Sequence, residues 1–198
     1  MNILLITWNF PPKIGGMENV LYNIYKGLRK KNVNTFVLAP FTSVDSNDID
    51  NIFRCPFNNI IFYLLWAIYK GIRVSIDKKI DIFFSGSATT CLLTVILGRL
   101  FCRKIVTLVH GRDITFPNCL YQFYIHLFLP KNDCIVTNSI ATKNELIIRN
   151  LSKSKIEVIY NGVDSDSPPV LRGGKGGSSG EASEILVLAA GRVEKEKG

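Results

Sequence analysis

Short, almost wholly apolar runs alternate along this chain with longer stretches of helical period. The runs 3–7, 34–39, 50–54, 80–85, 104–109, 134–137 and 156–160 read as strands. The stretches 17–31, 58–76, 88–102, 120–129 and 140–150 between them read as helices. Strands that are apolar at nearly every position are covered on both faces. Strict alternation with helices predicts βαβ units and a parallel sheet, an α/β, doubly wound, Rossmann-like class. In the first helix Val20, Leu21, Ile24 and Leu28 form one stripe. That helix ends in Arg29-Lys30-Lys31, where the helix dipole favours cations.

The pattern changes after Asn161-Gly162-Val163-Asp164. Ser, Gly and Pro then dominate, with the run Gly173-Gly174-Lys175-Gly176-Gly177 at their centre. So little apolar surface cannot offset the entropy of ordering the chain, which predicts a linker. Ile185-Leu186-Val187-Leu188-Ala189-Ala190 reads as a new strand. The expected organisation is one domain over 1–163, a flexible linker over 164–184, and over 185–198 the start of a second domain that is truncated.

With 47% hydrophobic and 20% charged residues in 198, the chain is globular and not disordered. Its net charge of +8 attracts phosphates, nucleic acid or anionic lipid without choosing among them. The absence of an interleaved aromatic–basic motif or a known nucleic-acid module argues against nucleic acid. Five cysteines at irregular spacing, with no CxxC pair, argue against a disulfide framework or a zinc site and favour a reducing cytosol. The amino terminus lacks the basic region and cleavage site of a signal peptide and reads as a buried strand.

The apolar run 60–69 is cut by Lys70 and Arg73, and 92–109 is cut by Arg99, Arg103 and Lys104. Neither reaches the roughly 18 apolar residues of a membrane span, so the expectation is a soluble or peripheral protein. Phe62, Trp66 and Tyr69 beside Lys70, Arg73, Lys78 and Lys79 have the makeup of a helix lying on an anionic interface. The competing reading turns Ile61, Leu64, Leu65 and Ile68 into the core.

Ligands of doubly wound sheets gather at the carboxyl ends of the strands. After the first strand, Pro11-Pro12 stiffens a loop. Gly15-Gly16 then either makes a tight turn or lets the backbone approach an anion at the helix amino terminus. The spacing is not the GxGxxG dinucleotide fingerprint, and no P-loop is present. After the strand 104–109, His110-Gly111-Arg112-Asp113 sets an imidazole and a carboxylate where they could hydrogen-bond a polyhydroxyl ligand. His126 lies among apolar residues and reads as packing or surface. In Thr137-Asn138-Ser139 a side chain caps the next helix. Arg192 and Lys197 could hold a diphosphate, although by charge alone the alternation with Glu194 and Glu196 reads as an exposed mixed loop.

In chain order, NILLITWNFPPKIGGMENVLYNIYKGL, VHGRD, TNSIATKNEL, VIYNGVD and LAAGRVEKEKG resemble glycosyltransferase family 4, the retaining enzymes of GT-B fold. PPxxGGxE with NGVD and GRxxxEKG is the specific combination. The resemblance implies two facing Rossmann-like domains, of which this chain supplies the acceptor-side, amino-terminal one. It implies a nucleotide-sugar co-substrate, a glycan or lipid-linked acceptor, and neither cofactor nor metal. Gly15 and Gly16 match the loop that closes over the donor's diphosphate and sugar. His110 matches the histidine near the transferred sugar and Asp113 a polar neighbour, the catalytic pair. Arg192 and Lys197 match the cations that stabilise the departing diphosphate, against their composition-level reading. The family's carboxyl-terminal domain, with its paired glutamates, is absent, so the chain alone is expected to be inactive without a separate carboxyl-terminal half. The alternative is a non-catalytic sugar- or lipid-head-group-binding module of the same fold. Either way the expected place is cytoplasmic, with peripheral attachment to the inner membrane face.

Overall fold

The computed structural model describes residues 1–42 and 51–160. The strands are β1 (Asn2–Ile6), β2 (Asn34–Ala39), β3 (Ile52–Arg54), β4 (Ile82–Ser85), β5 (Lys104–Val109), β6 (Cys134–Thr137) and β7 (Ile156–Val158). All pair in parallel, in the order β3-β2-β1-β4-β5-β6-β7. The helices are α1 (Gly16–Lys30), α2 (Ile60–Lys78), α3 (Cys91–Leu100), α4 (Gly111–Thr115), α5 (Cys119–Phe128) and α6 (Ile140–Ile148). This is the α/β class read from the pattern. The expected linker over 164–184 and second domain over 185–198, with Arg192 and Lys197, lie outside the described residues.

Strand order reverses at β1, and the handedness of parallel crossovers explains where the helices sit. The chain steps one way from β1 to β2, then the other way from β3 through β4 to β7. Right-handed crossovers in opposite directions must pass on opposite faces. Alternate strand residues separate accordingly. Ile3, Leu5, Val37 and Phe84 pack with Leu21, Tyr25 and Leu28 of α1. Leu4, Ile6, Leu38 and Phe83 pack with Tyr63, Ala67, Leu93 and Leu97 of α2 and α3. Ile105, Val109 and Ile135 pack with Ile125 of α5 and Leu146 of α6, on that same second face.

Two differences from the sequence pattern have local causes. The stretch 88–102 is not one helix: Ala88–Thr90 forms a 3-10 turn before α3. The Thr90 hydroxyl lies 3.1 Å from the Ile6 carbonyl and the Ala88 amide donates to Asp113, so this segment is tied to the sheet rim. The pattern also passes over α4, a single turn directly after β5. In α2 the buried side is Tyr63, Ala67, Gly71, Val74 and Ser75, while Ile61 and Leu65 are exposed. The core-facing reading of Ile61 and Leu65 is therefore incorrect. No helix among the described residues is long and apolar enough to cross a membrane.

Candidate functional site

Because the seven described strands are parallel, their carboxyl ends share one rim, and the order reverses at β1, the place where ligands of such sheets gather. Thr7 ends β1 and anchors the following loop: its hydroxyl accepts from the Asn9 amide at 3.0 Å. The buried Tyr63 hydroxyl of α2 donates to the Thr7 carbonyl at 2.8 Å, fixing the helix against the rim. Opposite Thr7, β4 runs into Ser85-Gly86-Ser87. The Gly86 amide donates to the Ile6 carbonyl at 2.9 Å. A β-carbon on Gly86 would lie 2.8 Å from the Thr7 side chain and 3.0 Å from Leu21, so only glycine lets the two strand ends approach this closely. The Ser85 hydroxyl, 2.7 Å from both the Ser87 carbonyl and the Thr90 hydroxyl, holds the turn.

His110 follows β5 on the same rim and is only 7% exposed. Its Nε2 is buried without a partner. Burial pushes the imidazole below its ordinary value, against the opposing pulls of Asp113, the Gly86 carbonyl and Glu18. An imidazole nitrogen left unpartnered in this way can bond a polar group of a ligand. Ser87 carries a second unsatisfied group: its residue is 1% exposed and its hydroxyl has no partner. Buried polar atoms of this kind are costly unless a ligand or water completes them.

Asp113 is braced differently. Its Oδ2 accepts from the Ala88 amide at 3.2 Å and from the His110 amide at 3.3 Å. The carboxylate thus joins the β4 and β5 loops, and its geometry is that of a positioning group for His110.

The glycine pair divides into two roles. Gly15 has an extended backbone and precedes α1 as its cap, with no side-chain cap bond. A β-carbon there would overlap the Glu18 carboxylate, which folds back over it. Nothing lies within 4 Å of the equivalent position on Gly16. An anion approaching α1 therefore meets open space at Gly16 and a buried carboxylate at Gly15. Glu18 is 7% exposed and acts on the charge of His110. Gly15, Gly16, His110 and Asp113 thus share one rim, as the sequence implies. Gly86, Ser87 and the part played by Glu18 were not foreseen. The available signals were a run of small residues closing a strand and the acidic residue of PPxxGGxE.

Of the remaining candidates, His126 is exposed on α5. Ser139 caps α6, its hydroxyl accepting from the Thr142 amide at 3.1 Å. Beside the rim, Trp8, Phe10, Lys13, Phe41 and Asn58 line a cavity of about 320 Å³.

The fold recurs in solved structures. HepE from Anabaena, in complex with UDP, aligns with a TM-score of 0.60 at 20% identity over 83% of this chain and 45% of HepE. UDP-GlcNAc 2-epimerase from Methanocaldococcus jannaschii aligns at 0.57, with 14% identity over 81% of this chain and 46% of the epimerase. A sucrose-phosphate synthase structure from Thermosynechococcus elongatus aligns at 0.66, with 11% identity over 98% and 99% of the two chains. The chain thus spans a little under half the length of HepE and of the epimerase. No curated protein matches it significantly in sequence. The model of Glycosyltransferase Family 4 matches residues 14–167, most of the chain and both rim loops, and the protein belongs to that family.

Proposed function

We propose that this chain is the acceptor-side lobe of a retaining glycosyltransferase that moves a hexosyl group from a nucleotide sugar to a glycan or lipid-linked acceptor. The observation that carries the reading is the pair of unsatisfied buried groups, His110 Nε2 and the Ser87 hydroxyl, on the rim that also carries the glycine loop. Family membership gives that rim its chemistry. HepE was solved with UDP and with UDP-glucose, which favours a uridine nucleotide as the first donor to try.

Departure of a nucleoside diphosphate leaves positive charge on the sugar and negative charge on the phosphates. His110 Nε2 hydrogen-bonds a hydroxyl of the transferred sugar and so orients it, while Asp113 holds the His110 backbone in place. The free amides at the start of α1 face the phosphates across Gly16, with Arg192 and Lys197 as the cations that complete their neutralisation. The aromatic cavity at Trp8, Phe10 and Phe41, with Lys13 beside it, receives the acceptor. The rest of the donor site comes from a second, donor-binding lobe, since this chain spans a little under half the length of HepE. The assembled enzyme works in the cytoplasm, held peripherally on the inner face of the membrane.

The test is transfer from radiolabelled UDP-sugars to a lipid-linked acceptor by the chain alone and by the chain supplied with a donor-binding lobe. The reading expects label transfer with anomeric retention in the second case only. Tight sugar binding without transfer in both cases would favour a non-catalytic binding module.

A further inference from the structure

The two faces of the sheet turn different surfaces to solvent. On α1 the exposed positions are Gly16, Asn19, Lys26, Arg29 and Lys30, and none of its large apolar residues is exposed. This is an ordinary amphipathic helix. The helices across the sheet behave otherwise. On α2, Ile61, Phe62, Leu65 and Tyr69 are 65%, 55%, 62% and 58% exposed. They lie opposite its buried Tyr63, Ala67, Gly71 and Val74, so α2 is apolar on both sides. Leu100 of α3 and Leu120 and Phe123 of α5 are exposed as well.

These three helices adjoin one another. Leu97 of α3 packs onto Gly71 of α2, and the Leu92 amide of α3 donates to Tyr124 of α5 at 3.0 Å. The three helices thus form one layer, and each turns exposed apolar residues outward, a field of the kind that marks an interaction surface.

The border of the field tells what covers it. Lys70 stacks over Phe53 at 4.5 Å and Arg73 over Tyr69 at 5.5 Å. Both open on a groove of about 790 Å³ between α2 and the edge strand β3. Lys78 and Lys79 follow, and the one acid in α2, Asp77, is paired with Lys78 at 2.8 Å. An apolar field edged by aromatic rings and cations complements an anionic bilayer, where side chains enter the interface and cations meet lipid phosphates. A second copy of the same chain would set cations against cations in a protein of charge +8.

We propose that the face formed by α2, α3 and α5 docks on an anionic lipid surface, with Phe62, Leu65 and Phe123 entering the interface and Lys70 and Arg73 taking lipid phosphates. The inference deepens the peripheral attachment proposed above and rests on it. The field also leads to the site. α2 starts at the carboxyl rim, and Asn58, just before it, lines the aromatic cavity with Trp8 and Phe41. An acceptor held in the bilayer would meet that cavity at its edge.

The test is co-sedimentation of the full chain with phosphatidylcholine vesicles and with phosphatidylcholine–phosphatidylglycerol vesicles. Binding is expected only to the anionic vesicles. Leu65→Glu and Phe123→Glu, both at exposed positions, should each weaken it at least about tenfold. Lys70→Glu with Arg73→Glu should weaken it by roughly fivefold or more for each cation. Lys26→Glu, a charge reversal at a single site on α1, should leave it unchanged, and circular dichroism should show every variant folded. Equal binding to both vesicles would overturn the proposal, as would a loss on Lys26→Glu matching that on Lys70→Glu. A dimer in sedimentation equilibrium that Leu65→Glu separates would overturn it too, by giving the face to a second copy. Transfer to a water-soluble acceptor, assayed without vesicles once the donor lobe is supplied, keeps the two readings apart. Transfer without vesicle binding defeats the docking face alone, and vesicle binding without transfer defeats the catalytic reading alone.

Discussion

Asp113 Oδ2 accepts a hydrogen bond from the Ala88 amide across 3.2 Å and so fastens the loop after β5 to the loop after β4. The same oxygen takes the His110 amide. Asp113→Ala should cost about 1–3 kcal/mol in urea denaturation, because two backbone donors lose their acceptor. Asp113→Asn keeps an acceptor oxygen and should lose less. Its transferase rate should recover in proportion, the pattern expected of a residue that positions His110. A proton donor would not be rescued by Asn.

The two glycines should respond in opposite ways to alanine. Gly15→Ala drives a β-carbon into the Glu18 carboxylate and must move a buried group, so thermal stability should fall. Gly16→Ala enters open space at the first position of α1 and should be neutral or stabilising by up to about 1 kcal/mol. If phosphates approach α1 at Gly16, that same variant should raise the KM for donor. An unchanged KM would place the diphosphate elsewhere.

His110 gives a pH signature with a definite sign. Its folded-state pKa is lowered, so the unfolded chain binds more protons once the pH falls below the free imidazole value of about 6.5. Stability should therefore be complete above that value and decline as the pH falls from it toward the lowered folded-state value. Below the latter this contribution is fully lost. His110→Gln should flatten the decline. In a His126→Asn background His110 is the sole histidine, and its ring nitrogens can be followed directly by NMR. They should report a ring that gains its proton only below the free imidazole value. Protonation at or above the free value would contradict the burial of the ring.

Ser87→Ala removes a buried hydroxyl that has no partner. The free protein should be unchanged or more stable by about 1 kcal/mol, since an unsatisfied group is lost. Sugar transfer should nevertheless slow. A slowed reaction in a protein at least as stable as the wild type assigns the hydroxyl to the ligand.

Most of the sheet could be read from the chain because β1, β2, β5 and β6 are continuous apolar runs, and period alone identifies them. Boundaries slipped where side chains bind the backbone, as when Thr90 reaches Ile6 and splits the expected helix 88–102. The placement of Gly15, Gly16, His110 and Asp113 at strand ends was legible through motif and position. Gly86 and Ser87 were not, since their importance arises from the approach of β4 to Thr7, a contact across 79 residues between Thr7 and Gly86 that no local pattern records. The outward side of α2 misled for a related reason. Apolar period shows that a face avoids water but does not say whether protein or lipid replaces it.

The central claim is that the buried His110 faces the transferred sugar. It is tested most directly by turnover of the chain supplied with its donor-binding lobe, wild type against His110→Ala, at saturating UDP-sugar and matched folded concentration. The account predicts a kcat lower by about 10²–10³ with donor KM little changed. A His110→Ala enzyme turning over at the wild-type rate would contradict it.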